Sequence, residues 1–241
     1  VAMQADVIVC AMGECADMSG ESSSRSDLRL PDVQRELLAE LVKLGKPVVM
    51  LNFSGRPTVL EWEQDNVDAI LNVWFGGSEA ADAICDVLFG DVAPSGRLTT
   101  SFPRTTGQLP MYYNYLTSGR PLPDGTKEFH KFSANWLDCI SGPLYPFGYG
   151  LSYTTFSYGK PTVTGSGRTF KASISRPNKE LKGFSRVSLK AGESKEVTFD
   201  ITEKELSYYN AEGKEVFEPG EFTVMLGHDS STLQTVTITA E

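Results

Sequence analysis

Apolar residues fall into two rhythms along this chain. In the first half they form short unbroken runs over residues 5–12, 47–53 and 69–75, rich in Val, Ile, Leu and Met. A strand without alternation is expected to be covered on both faces, as in a parallel sheet. Between the runs the period lengthens. Val33, Leu37, Leu38, Leu41 and Leu44 recur at spacings of three and four, a helical stripe opened by Pro31 and Asp32 and closed by Gly45. Residues 58–66 predict a short second helix, and Ala80, Ala81, Ile84, Val87 and Leu88 a third, capped by Ser78 and ended by Gly90. Strands alternating with helices in this order imply βαβ units and a parallel sheet.

From Asp91 to Gly150 both periods fade, and Pro94, Pro103, Pro110, Pro121, Pro123, Pro143 and Pro146 break any long element. Met111–Tyr115 and Leu144–Tyr153 hold too many large rings to be left in water, so an ordered excursion over a domain surface is expected. From Leu151 onward short runs alternate instead. Thr154–Tyr158, Phe184–Leu189, Val197–Ile201 and Phe222–Leu226 predict strands, with turns at Ala191-Gly-Glu193 and Glu218-Pro-Gly220. The fold class is therefore α/β plus all-β. A partial α/β sandwich with a largely parallel sheet is expected over 1–125, an ordered aromatic, Pro- and Gly-rich connection over 126–150, and a β-sandwich over 151–241.

Composition narrows the partners. With 241 residues, 40% of them hydrophobic, the chain can bury a sizeable core. A net charge of −9 with scattered basic residues argues against nucleic acid. No run approaches the roughly 18 apolar residues of a membrane span, and no charged-then-apolar leader opens the chain, so no membrane partner is expected. The cysteines at 10, 15, 85 and 139 form no CxxC and there are two histidines, so no metal site is expected. Cys10 and Cys85 fall in apolar segments, where free buried thiols are common. Gly76-Gly77 before the third helix resembles a phosphate cradle, but neither GxGxxG nor GxxxxGK[ST] spacing is present, and no cofactor is called for.

The stretch from Gly13 to Leu30 is where chemistry concentrates. It packs Glu14, Asp17, Glu21, Arg25, Asp27 and Arg29 between a strand end and a helix start, the edge at which open α/β sheets bind ligands. A carboxylic acid placed partly out of water can protonate a leaving group near neutral pH, oriented by hydroxyls or an Arg. The plain alternative is a solvated loop with loosely paired charges, and spacing alone favours it. The Ser run lacks a G-x-S-x-G elbow, and His130 and His228 have no acid pattern around them, so a serine hydrolase is not indicated.

At these residues the sequence resembles the C-terminal part of glycoside hydrolase family 3, in the group of bacterial periplasmic β-glucosidases. The resemblance covers nearly the whole chain. It rests on ordered blocks that include Gly20-Glu-Ser-Ser-Ser-Arg-Ser-Asp-Leu-Arg-Leu-Pro31, Asn52-Phe-Ser-Gly-Arg-Pro57, Trp74-Phe-Gly-Gly77, Pro143-Leu-Tyr-Pro-Phe-Gly-Tyr-Gly-Leu-Ser-Tyr-Thr155 and Ser175-Arg-Pro-Asn-Lys-Glu-Leu-Lys-Gly-Phe184.

The resemblance implies a (β/α)8-like barrel bearing an Asp nucleophile, an α/β sandwich bearing a Glu acid/base, and a fibronectin type III-like module. Glu21 matches the acid/base motif, with Glu14 in reserve should the loop alignment slip. Arg25 and Trp74 are the candidate substrate-binding residues; the Trp74-Phe75 edge could stack on sugar rings, with packing between domains the favoured use. No stretch resembles the nucleophile motif, so the chain is expected to be a fragment of a retaining exo-acting β-glucosidase, inactive without the barrel. A non-catalytic carbohydrate-binding or scaffold module is the alternative. The implied partners are a β-glucoside or oligosaccharide and the barrel domain, with room for a homodimer, in a periplasmic or secreted setting. Near 173–174 the family normally carries on the order of 25 further residues forming two strands, without which a seven-strand sandwich is incomplete.

Overall fold

The computed structural model describes residues 1–116, 119–163, 177–210 and 212–240. The chain divides into two compact units. The first comprises Val1–Tyr113, Ser118–Phe156 and Asp229–Ser231; the second comprises Asn114–Thr117, Ser157–His228 and Thr232–Glu241.

The first unit is built on three parallel strands in the order β1 (Ile8–Gly13), β2 (Val48–Phe53), β3 (Ala69–Asn72). Ile8 pairs with Val48 and Gly13 with Phe53, while Val49 pairs with Ala69 and Asn52 with Asn72. The connections run through α1 (Asp32–Val42) and α2 (Glu61–Asn66), and α3 (Ala80–Phe89) follows β3. Ile8, Cys10, Met12, Leu38, Val48, Met50, Leu60 and Phe102 form the core. Leu38 is fully buried, and Leu41 and Val42 pack beside it.

Cover on both faces was the expectation from the unbroken runs, and it holds only for central β2. In β1 the alternate residues Val9 and Ala11 are exposed, so this edge strand is covered on one face. Along α3 no residue is buried. Cys10 is accordingly a buried thiol, whereas Cys85 is exposed, contrary to expectation, because the face of α3 that carries it meets no packing layer.

The aromatic stretch is woven into the same unit. Buried Phe102 donates its N–H to the Tyr145 carbonyl (2.8 Å), and Leu144 donates back to the Phe102 carbonyl (2.8 Å). Trp74, Phe102, Tyr145 and Tyr149 form a chain of ring contacts at 5.7, 6.0 and 5.1 Å, and Tyr113 stacks on Phe147 at 4.2 Å.

The second unit contains antiparallel ladders. β4 (Tyr208–Tyr209) pairs with β5 (Glu215–Val216), and β6 (Gly220–Gly227) pairs with β7 (Leu233–Ala240) from Gly220↔Ala240 to Gly227↔Leu233. A short helix, α4 (Glu203–Leu206), opens with a capping box in which Thr202 and Glu205 satisfy each other's backbone groups. A parallel α/β sheet followed by antiparallel strands is the predicted fold class. Of the four expected strands, Phe222–Leu226 lies inside β6; residues 154–158, 184–189 and 197–201 lie outside the strands. Alternation becomes a strand only where a neighbouring chain accepts the ladder. The position near 173–174 falls outside the described residues.

Candidate active site

The loop that follows β1 is fixed first by its backbone. Gly13 has φ +129°, and a Cβ there would lie 1.8 Å from the Phe53 carbonyl oxygen, so no other residue fits. Gln34 of α1 grips the same residue, accepting the Gly13 N–H on Oε1 (2.7 Å) and donating from Nε2 to its carbonyl (2.9 Å). Glu14 N–H then donates to the Phe53 carbonyl (2.7 Å), which sets the direction in which the chain leaves the sheet.

That direction turns the Glu14 side chain inward, where it is 1% exposed. Arg25 Nη1 donates to Oε1 (3.2 Å), Arg56 Nε lies 3.1 Å from Oε1 and 3.2 Å from Oε2, and the Ser54 hydroxyl sits 3.0 Å from Oε2. Burial pushes the carboxyl up, but the Ser54 hydrogen bond and the two guanidinium groups outweigh it, and its pKa ends below the usual carboxylate value. Glu14 is thus an anion throughout the neutral range, and its role is to hold two arginines.

Those arginines organise the rest of the loop. Arg25 Nη2 donates to the Arg29 carbonyl (3.2 Å), and Arg56 Nη2 donates to the carbonyls of both Met18 and Ser23 (2.7 Å each). Between these two carbonyls the chain turns at Ser22, whose φ of +62° lies in the left-handed region, costing about 1–2 kcal/mol for an L-residue. Glu21 immediately precedes that turn. Its side chain is exposed, and none of the loop's ion pairs uses it. Beside it lies an open depression of about 450 Å³ lined by Ser19, Ser22, Ser23, Ser24 and Arg56, a volume in the range of small-molecule sites. The loop re-enters the body at Leu28, which accepts the Val59 N–H (2.9 Å) and donates to Thr106 Oγ1 (3.2 Å).

Of the residues singled out in the sequence, Glu14 and Arg25 meet in one buried cluster, and Glu21 stands on the loop which that cluster supports. Trp74 is not one of the residues of that cluster. It packs against Phe102 and the core, with φ +51°. Arg56 and Ser54 belong to the site, although the sequence marked them only as part of the Asn52–Pro57 block and not as site residues. The available signal was a guanidinium in an otherwise small, polar strand-to-helix turn. Among the described residues no group of three or more His, Cys, Asp or Glu is placed to hold a metal ion, and no helix is long and apolar enough to cross a membrane.

Fold and site together define a class: a parallel α/β unit with a clamped, carboxylate-bearing loop at the ends of its strands, continued by an antiparallel β unit. Comparison with known families makes it specific. Residues 1–153 match the glycosyl hydrolase family 3 C-terminal domain and residues 168–230 the fibronectin type III-like domain. The chain belongs to glycosyl hydrolase family 3, as its C-terminal region.

Its relatives are β-glucosidases and β-xylosidases. It is 43% identical to a periplasmic β-glucosidase of Salmonella typhimurium, over 97% of this chain and 34% of that protein. A β-xylosidase of Formosa agariphila is 38% identical, over 100% of this chain and 36% of that protein. Among solved structures, a β-glucosidase of Listeria innocua in complex with gluconolactone superposes with a TM-score of 0.92 at 37% identity, covering 99% of this chain and 37% of that one. The chain thus spans about a third of the length of the relatives it matches. The alignment with the Salmonella protein extends over 262 residues against 241 in this chain, so that relative carries additional residues within the matched span.

Proposed function

We propose that this chain supplies the general acid/base, Glu21, of a retaining exo-acting β-glucosidase that removes terminal non-reducing β-D-glucosyl residues. The observation that carries the reading is the division of labour within one loop. Glu14 is buried and consumed by two arginines, whereas Glu21 is presented to solvent on a backbone held on both sides. A retaining glycosidase needs two carboxylates roughly 5 Å apart, one attacking the anomeric carbon and one protonating the leaving oxygen and then activating water. In this reading Glu21 is the second, and an Asp on a barrel domain outside this chain is the first. Arg25 acts on substrate only indirectly, through the loop. The similarity to a periplasmic Salmonella enzyme supports a periplasmic or secreted setting. Because relatives include β-xylosidases, a β-xyloside is the second substrate reading. A non-catalytic carbohydrate-binding module is the competing function.

The test is Glu21→Gln in the full-length enzyme. A general acid contributes typically about 10²–10⁴-fold, so kcat/KM on an unactivated glucoside should fall by that order while a dinitrophenyl glucoside is affected far less. Equal rates for parent and variant on both substrates would sink the assignment. The 241-residue chain by itself should show no turnover of an aryl β-glucoside, and measurable turnover would refute the proposed division of the active site between two domains.

A further inference from the structure

Arg56 stands outside the loop in sequence yet holds three of its residues, Glu14, Met18 and Ser23. Its single Nη2 donates to the Met18 and Ser23 carbonyls at 2.7 Å each, three residues before Glu21 and two after it. Its Nε faces the buried Glu14 carboxylate, and its own backbone N–H donates to Ser54 Oγ (3.1 Å), the hydroxyl that also faces Glu14. The adjacent Gly55 lets the loop lie directly on this turn, since a Cβ there would come within 2.0 Å of Ser19 Oγ. The guanidinium therefore ties both shoulders of the Glu21 turn to one buried anion, and through Ser54 to the end of β2.

We infer that Arg56 is the positioning residue for Glu21: with Glu14 as its counter-ion it clamps residues 18–23 so that the Glu21 carboxyl is held where a leaving oxygen is protonated. This rests on the reading of Glu21 as the acid/base. The physical need is distance. Proton transfer requires hydrogen-bond reach, and misplacement by an ångström costs about 10²-fold. The clamp uses the planar fork of arginine, with Nε and Nη2 addressing different partners at once. A lysine ammonium is a point charge that can pair with Glu14 or reach the carbonyls, but cannot reproduce that geometry.

Two variants and two readouts test it. Arg56→Lys keeps the charge opposite Glu14 and removes the fork, while Gly55→Ala keeps Arg56 and pushes on Ser19. In the 241-residue chain the amides of Met18, Ser19 and Ser23, which close the loop's own turns, should exchange with solvent about 10-fold faster in Arg56→Lys, and those of β2 should not change. In the full-length enzyme both variants should lower kcat on an unactivated glucoside by about 10- to 100-fold with KM nearly constant, and lower the rate on a dinitrophenyl glucoside much less. Unchanged loop exchange overturns the clamp. Equal losses on both substrates overturn the positioning role, because a general loss of folded enzyme does not distinguish leaving groups. Glu21→Gln run alongside separates the two layers. Should it show no leaving-group selectivity, the inference fails at Glu21 rather than at Arg56, and the exchange data alone report on the clamp.

Discussion

Two glutamates in the first unit expose almost no side-chain surface and are held in opposite ways. Glu14, at the end of β1, is 1% exposed and accepts from Arg25 and Arg56 beside the Ser54 hydroxyl. Glu63, in α2, is 2% exposed, but its Oε1 lies 3.6 Å from Arg35 Nε, and neither atom has a hydrogen-bond partner among the described residues. Burial raises the Glu63 pKa, and its own backbone N–H and then the distant arginine only partly offset that, whereas hydrogen bonds and charges bring the Glu14 pKa down despite burial. Low exposure alone therefore does not decide ionisation: Glu63 lies deeper among protein atoms and is the more poorly partnered, and the two act together. In this fold the well-partnered carboxylate supports the charged loop after β1, and the poorly partnered one lies on the buried face of α2.

The sharpest way to break this contrast is substitution by the isosteric amide. Glu14→Gln leaves two guanidinium groups facing a neutral amide, and removing one partner of a buried ion pair costs about 3–5 kcal/mol. Each arginine is about a fifth exposed, so the lower end applies, about 3 kcal/mol. In thermal unfolding of the 241-residue chain the first unit should melt lower by roughly 6–12 °C. Glu63→Gln should cost less than about 1 kcal/mol, because Glu63 makes a long, imperfect pair and loses a desolvation penalty along with it. Equal destabilisation by the two variants would show that burial, not partnering, controls both sites.

Acidification should separate the same two residues by sign. Glu14 has a folded pKa below its unfolded value of about 4.3, so its stabilisation is fully present above that range and is lost as pH falls through the folded value. Glu63 has a folded pKa above the unfolded value, so stability is greatest where it is protonated and erodes as pH rises through the folded value. In urea unfolding between about pH 3 and 7, the gap between parent and Glu14→Gln should narrow on acidification. Over the same range the parent should gain on Glu63→Gln. Gaps that move in the same direction would contradict the assignment of the shifts.

This contrast marks where sequence reading stops. The three strands and two longer helices of the first unit could be read from apolar runs and apolar spacing and from Gly45 and Gly90, although only α1 buries a residue of its stripe, Leu38. The loop could be located too, as charges between a strand and a helix. Which of its glutamates turns inward could not, since Gly13-Glu14 reads the same with the side chain buried or exposed. The decision is made by Arg56, 42 residues away, and by the lack of space at Gly13, both products of β1–β2 pairing. In the second unit the limit is of another kind. Residues 184–189 carry apolar residues among polar ones but lie outside the strands, whereas β7 pairs over eight residues with a sequence in which Thr235, Thr237 and Thr239 alternate with Val236 and Ile238. Alternation reports a tendency that only a partner strand converts into structure.

The smallest expected effect tests whether a displaced pKa implies stability. Asp27 is pulled to about 2, first by its hydrogen bond from the Arg29 side chain and then by the Arg29 backbone N–H. Taken at face value, a shift of that size would rival the Glu14 cluster in stabilisation. Both partners, however, are nearly half exposed. Water screens such a pair, and ordering two surface side chains costs entropy that Coulomb attraction barely exceeds, so exposed ion pairs contribute about 0.2–1 kcal/mol. Asp27→Asn should lower stability by no more than about 0.5 kcal/mol, and the difference should vanish in about 1 M salt, where the screening length falls to about 3 Å. Glu14→Gln should keep most of its cost in that same salt, because its carboxylate is out of reach of the screening ions. A salt-insensitive loss at Asp27 comparable to that at Glu14 would place the Asp27–Arg29 pair in the same structural class as the buried cluster and erase the distinction between shielded and solvated charge on this loop.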